Sequence, residues 1–99
     1  NSNAFESVLN LSDFEKDINS KVAIQDWFKR VSKANWDNFD DVKKTFNSVD
    51  YVGNSRFIFN VKGNHYRIVV IIKYSIKRVY IRWIGNHNDY NKLKNIDKL

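Results

Sequence analysis

Arg67, Arg82, His87 and Tyr90, all in the second half of the chain, carry the side chains needed to neutralise a phosphate and move protons beside it. A guanidinium forks onto phosphate oxygens and keeps its charge at any ordinary pH. An imidazole takes or gives a proton near neutrality. The phenol of Tyr90 follows His87 by three residues, close to one helical turn. Such groups suit phosphoryl transfer within RNA, where the 2′-hydroxyl attacks its own 3′-phosphate. The substrate then supplies the nucleophile, and the protein must remove one proton, donate another and stabilise charge on the phosphorane. Which residue is the base stays open, and for His87 the alternative is a loop histidine that caps or packs.

Other chemistries lack their parts. Metal-assisted cleavage needs clustered carboxylates, and residues 51–99 hold only Asp89 and Asp97. Asp13, Asp17, Asp37, Asp40 and Asp41 fall in helical patterns and read as solvated faces and caps. With no cysteine there is no disulfide and no thiolate zinc site, and His65 and His87 alone are too few for a histidine one. A Walker-type glycine loop and a G-x-S-x-G elbow are both missing. No metal and no cofactor are therefore expected. No apolar run approaches the roughly 20 residues of a membrane span, and no secretory signal pattern opens the sequence. The expected location is the cytoplasm.

Charge is divided along the 99 residues. Residues 1–50 carry seven Lys/Arg against nine Asp/Glu, and residues 51–99 carry ten against two, so +8 and −2 make up the net +6. A basic half of this kind points to a polyanion, most simply nucleic acid. The alternative is a solvated basic surface left by a Lys-, Asn- and Ile-heavy composition.

The elements that must position these residues follow from periodicity. Residues 1–4 (NSNA) are set aside as a candidate cloning remnant, leaving 5–99 as one domain. Ser12 and Glu15 form a capping box, with Leu11, Phe14 and Ile18 on one stripe. Ile24, Trp27, Phe28 and Val31 form a second stripe, and the six-residue step between the two predicts two helices meeting near Asn19-Ser20. Phe39, Val42 and Phe46 predict a short third helix. From Ser48 the period becomes two, with Gly53-Asn54 and Gly63-Asn64 as two-residue hairpin loops and Ser75-Ile76 as a weaker turn.

Pairing Asn60 with Arg67 and Lys73 with Arg78 sorts the side chains by face. Phe57, Phe59, Val61, Tyr66, Ile68, Val70, Ile72, Val79, Ile81 and Trp83 take one side. Arg56, Ile58, Asn60, Lys62, His65, Arg67, Val69, Arg78, Tyr80 and Arg82 take the other. The fold class is α+β, with N-terminal helices packed on the apolar face of a small antiparallel sheet. The opposite face is nearly free of carboxylates and would repel itself unless it met an anion.

These residues also carry a resemblance. "FNVKGNHYRIVV" followed by "VYIRWIGNHNDYNK", with "WFKRVSKANWDNFDDVKKTF" upstream, resembles the HigB-type toxins of bacterial toxin–antitoxin systems, within the RelE-like superfamily. The likeness covers roughly residues 24–92, with four motifs in order, and does not place the family's first strand. It implies a RelE-like fold and an endoribonuclease that cuts messenger RNA in the ribosomal A site. It also implies a cognate, HigA-like helix-turn-helix antitoxin, with DNA bound only through that partner.

Asn60, Asn64, Arg67, Arg82, His87 and Tyr90 fall on motif positions. Lys62 stands where glycine is commoner, His65 at a variable position, and Asn91 where the family usually has Asp. Read together, the residues and the resemblance give Arg67 and Arg82 the scissile phosphate, and His87 the leading acid or base role with Tyr90 as its partner or substitute. Asn60 and Asn64 would orient the substrate or the hairpin. Arg56, Lys62, His65, Arg78 and Tyr80 would contact RNA. The competing readings are a non-catalytic RNA- or DNA-binding module on the same face, and a domain that binds an acidic protein.

Overall fold

A computed structural model describes residues 4–7, 18–61 and 65–99, with the backbone alone for 4–7 and 18–20. The elements are β1 (Ala4–Ser7), α1 (Ile18–Lys33), α2 (Phe39–Thr45), β2 (Val49–Gly53), β3 (Arg56–Val61), β4 (Tyr66–Lys73), β5 (Arg78–Asn86) and α3 (His87–Tyr90). Short 3₁₀ turns occupy Tyr74–Ile76 and Ile96–Lys98. The sheet order is β1-β5-β4-β3-β2. Strands β2 to β5 are antiparallel, as expected, while β1 lies parallel to β5 at the edge and pairs Ala4 with Arg78. The fold is α+β.

The helices form for the reasons the pattern gives. Ile24, Trp27 and Val31 bury one stripe of α1, and Val42 and Phe46 bury one side of the α2 region, with Phe39 partly buried. Asn38 caps α2 by accepting from the Asp41 amide at 3.0 Å. Asn19 and Ser20 lie in the first turn of α1, which begins at Ile18, and the first of the two expected helices falls outside the described residues. The capping box at Ser12 and Glu15 lies outside the described residues.

Phe59 is the hub of the core. Trp36 stacks on it at 6.2 Å and 16°, while Trp27 and Phe46 meet it edge-on at 5.4 and 5.1 Å. Both tryptophans are only 1% exposed, so they are core residues and not surfaces for a base. Lys77, in the left-handed region at φ 54, ties the β4–β5 connection to the loop after α1 by donating to the Trp36 carbonyl at 2.7 Å and to Asp37.

Two registers depart from expectation. The first hairpin turns at Asn54-Ser55, both at positive φ, and not at Gly53-Asn54, for Gly53 pairs with Arg56 across an irregular step. The earlier turn would set Asp50 opposite Phe57 on the core side. The observed one sets Tyr51 opposite Phe57 and Val49 opposite Phe59, leaving Asp50 with Ile58 on the other face. The second departure is a β-bulge in β5. Val69 faces Trp83 but Val70 faces Ile81, so Arg82 is the extra residue. Ile84, 2% exposed, takes the core position expected of Trp83, and Trp83 moves to the opposite face.

That opposite face is also partly covered. Ile58 and Val69, 3% and 0% exposed, are buried there, outside the main core cluster. The C-terminal segment crosses this side: α3 contacts β4 and β5, and the turn Ile96–Lys98 contacts β2.

Removing the hub ring in Phe59→Ala should lower stability by about 3–5 kcal/mol, read as a large fall in Tm. Tyr74 gives a pH signature. Burial first, then the neighbouring Tyr51 and Asp41 charges, push its phenol up to about 12, and its oxygen is buried without a hydrogen-bond partner among the described residues. The unfolded phenol titrates near 10, so this stabilisation is complete below about pH 10 and is lost as pH rises towards 12. Tyr74→Phe should leave Tm at pH 7 unchanged or higher and flatten its decline between about pH 10 and 12.

Candidate active site

The site is built across the strands, one row of the sheet at a time. On the face away from α1, one row holds Asn60, Arg67 and Gly85 as consecutive Cα partners on β3, β4 and β5. Asn60 extends the row to Ser48, donating from its amide nitrogen to the Ser48 hydroxyl at 2.8 Å and from its backbone to the Ser48 carbonyl at 3.1 Å. The next row holds Asp50, Ile58, Val69 and Trp83, and the one after it Arg56, Ile71 and Tyr80. Arg56 and Tyr80 therefore stand four residues along the strands from Arg67, about 13 Å away. Arg78 lies further still, opposite Lys73.

Above the Asn60–Arg67–Gly85 row an aromatic layer completes the site. Trp83 folds back over Gly85, where a Cβ would fall 2.6 Å from its Cη2 and Cζ2 atoms. Only glycine leaves room for that ring. Tyr90 meets Trp83 with ring centres 6.1 Å apart at 52°, and the Arg67 guanidinium carbon lies 5.8 Å from the Tyr90 ring centre. A cation against an aromatic ring is attracted by the ring's quadrupole, so Arg67 and Tyr90 hold one another. Burial raises the Tyr90 pKa, the Arg67 charge opposes this, and the Asp50 charge adds to it. With the balance upward, Tyr90 is a protonated phenol at neutral pH, equipped to give a proton and not to take one.

His87 opens α3, whose first turn is capped by Asn86 accepting from the Asp89 amide at 2.8 Å. The backbone of His87 donates to the His65 carbonyl at 3.0 Å. His87 lines a cleft of about 180 Å³ with His65, Tyr66, Asn86 and Asn88. Its Nδ1 is buried without a hydrogen-bond partner among the described residues. The turn from His87 to Tyr90 is helical, as the spacing predicts.

The structure thus brings Asn60, Arg67 and Tyr90 together and sets His65 and His87 side by side next to them. Arg82 sits at the bulge, half-buried, its Nε buried without a partner among the described residues. Arg56 turns three of its N–H donors onto the protein, towards Leu99 and Asn54. Lys62 and Asn64 lie outside the described residues. Two members of the face do not stand out in the amino-acid pattern. Trp83 is hidden by the bulge, and Asp50 by the hairpin register. Among the described residues no three His, Asp or Glu side chains gather as a metal site would require, and no helix is long and apolar enough to cross a membrane.

Residues 20–93 match the sequence profile of the HigB_toxin family, the RelE-like toxic component of a toxin-antitoxin system. The chain belongs to the HigB toxin family. The HigB match runs from α1 through α3, taking in Asn60, Arg67, Arg82, His87 and Tyr90 and ending before the turn Ile96–Lys98. The chain is also similar to the mRNA interferase HigB of Escherichia coli O6:H1, at 23% identity over 77 residues, which is 76% of this chain and 75% of that protein.

Gly85→Ala tests the layered site. The new methyl group should drive the Trp83 ring outward and separate it from Tyr90, costing about 1–3 kcal/mol. The expected readouts are a modest fall in Tm and a red-shifted tryptophan emission. An unchanged emission would mean that the ring does not lie over Gly85.

Proposed function

We propose that this HigB-family toxin is a ribosome-dependent endoribonuclease that cuts messenger RNA in the A site without a metal ion. The observation that carries the reading is the pairing of a fixed guanidinium, Arg67, with a phenol kept protonated, Tyr90, over Asn60. Charge neutraliser and proton donor then stand on the same side of one bound phosphate. A base takes the proton from the 2′-hydroxyl, the oxygen attacks phosphorus, and the bond from phosphorus to the 5′-oxygen breaks. His87 is the base we assign, and Tyr90 gives its proton to the departing 5′-oxygen. Arg67 holds the phosphorane oxygens, assisted by Arg82, where charge develops. Asn60, fixed by Ser48, orients the phosphate or ribose, and His65, Lys62 and Asn64 extend the contact along the RNA.

The relative named mRNA interferase supports the substrate class. The donor set supports the metal-free route, since Asp50 is the one carboxylate that strands β2 to β5 place on this face. Membership of a toxin–antitoxin family implies a cognate antitoxin. We assign a helix-turn-helix partner to that role, with DNA reached only through it, and place the pair in the cytoplasm.

Cleavage of ribosome-bound messenger RNA should leave 2′,3′-cyclic phosphate or 3′-phosphate and 5′-hydroxyl ends. Arg67→Ala should slow it by about a hundred- to thousandfold while melting close to wild type. A metal requirement that persists with ribosome integrity held constant, together with 5′-phosphate ends, would refute the mechanism. A gradual loss of RNA affinity in Arg67→Ala, with no cleavage by wild type, would make the protein a binding module instead.

A further inference from the structure

The single turn carrying His87 and Tyr90 is too short to hold its own shape. Four residues close barely one helical turn, and isolated helices of that length are unstable in water. The turn must be held from outside. On its N-terminal side the holding is visible in the Asn86 cap and the bond from His87 to the His65 carbonyl. On its C-terminal side the chain continues in turns, Asn91 donating to the His87 carbonyl, Lys92 to that of Asp89 and Leu93 to that of Tyr90 at 3.0–3.1 Å. It then crosses the sheet to the 3₁₀ turn Ile96–Lys98 beside β2.

There the segment is clamped. Arg56 donates to the Leu99 main-chain oxygen from Nε at 3.3 Å and from Nη2 at 2.8 Å, and from Nη1 to the Asn54 carbonyl at 2.9 Å. Asn54 donates from its amide to the Asp97 carbonyl at 3.3 Å and to the Asp97 carboxylate at 3.2 Å. Asn54 can do this because the hairpin places it in the left-handed region at φ 51, a conformation asparagine tolerates. The apolar residues Ile58 and Val69 are buried on the face that this segment crosses.

We propose that Asn54 and Arg56 are positioning residues for Tyr90: by clamping the C-terminal segment at the far end of the sheet they hold the phenol against Arg67 and Trp83. Arg56 serves the site through the protein and not through the RNA. The inference rests on the catalytic reading of Tyr90 given above, but its structural half is measurable without any cleavage.

Two substitutions open the clamp by different chemistry. Arg56→Ala deletes the donors, and Asn54→Asp sets a second carboxylate against Asp97. Adding Asp97→Asn to the latter restores an amide–carboxylate pair with the roles exchanged and the net charge of the wild type. Acrylamide quenching reports the position of Tyr90, because Trp27 and Trp36 are 1% exposed and only Trp83 answers to loss of the Tyr90 ring. Arg56→Ala and Asn54→Asp should both raise quenching and lower kcat about tenfold or more, with RNA affinity within about twofold of wild type. The double variant should return both quantities to wild type.

Unchanged quenching in Arg56→Ala and Asn54→Asp overturns the clamp. So does a weakened RNA affinity in Arg56→Ala with a salt slope lower by about one, which would make Arg56 a phosphate contact. Failure of the double variant to recover the quenching would also overturn it. If the wild type cuts no RNA, the catalytic reading fails while the quenching series still decides the clamp.

Discussion

The extra residue in β5 is the constraint from which the rest of the site follows. A strand that alternated without interruption would carry Val79, Ile81 and Trp83 into the core and return an ordinary polar face. The bulge replaces Trp83 by Ile84 on the inside and sends a large flat ring outward. A bulge costs local ladder pairing, and the freed Trp83 must have somewhere to lie. Gly85 supplies that place, two residues on and on the same face. Tyr90 then has an aromatic neighbour on one side and Arg67 on the other. The aromatic layer over Gly85, and with it the surroundings of Tyr90 beside Arg67, trace to one residue inserted in one strand.

Much of this is legible in the amino-acid pattern alone. The alternation in "RFIFNV" and "YRIVVIIK" dictates which side chains share a face, and the pairing of Asn60 with Arg67 holds as the pattern implies. The helical stripe of Ile24, Trp27 and Val31 can hardly be read otherwise. What is hidden has a common physical character. Bulge and turn are each a one-residue shift of register, and a period-two pattern cannot show where its own phase changes. "YIRWIG" offers either Trp83 or Ile84 to the core, and only packing against β4 and the helices decides. In "VGNSR" both Gly53-Asn54 and Asn54-Ser55 tolerate positive φ, so the choice falls to Val49 and Tyr51, which must meet Phe59 and Phe57. The parallel edge strand β1 is equally silent, for four residues give no periodicity to read.

Charge alone gives too even a picture of the outer face. Ten basic residues in residues 51–99 suggest a uniform cationic sheet. The geometry divides it. Asn60, Arg67 and Tyr90 occupy one half, while the other is crossed by the chain's own C-terminal segment, which engages Arg56. A half-buried arginine with three donors spent on main-chain oxygens is committed largely to the fold, which narrows the cationic part of the face. The carboxylate of Asp50 tempers the field further, adding to the upward shift of the Tyr90 phenol.

The parallel pairing of β1 with β5 joins residues as distant as Ala4 and Arg78, and this governs when the molecule can become itself. Non-local closures of that kind are slow to form. Every group assigned to the chemistry lies on β3 or later. While the protein is being made, its helices and first hairpin can gather early, but the sheet stays open at one edge until β5 has emerged. Tyr90 follows later still. A nascent chain therefore carries the cationic strand before the phenol, and Arg67 gains Tyr90 as a neighbour only once α3 has followed the whole sheet out.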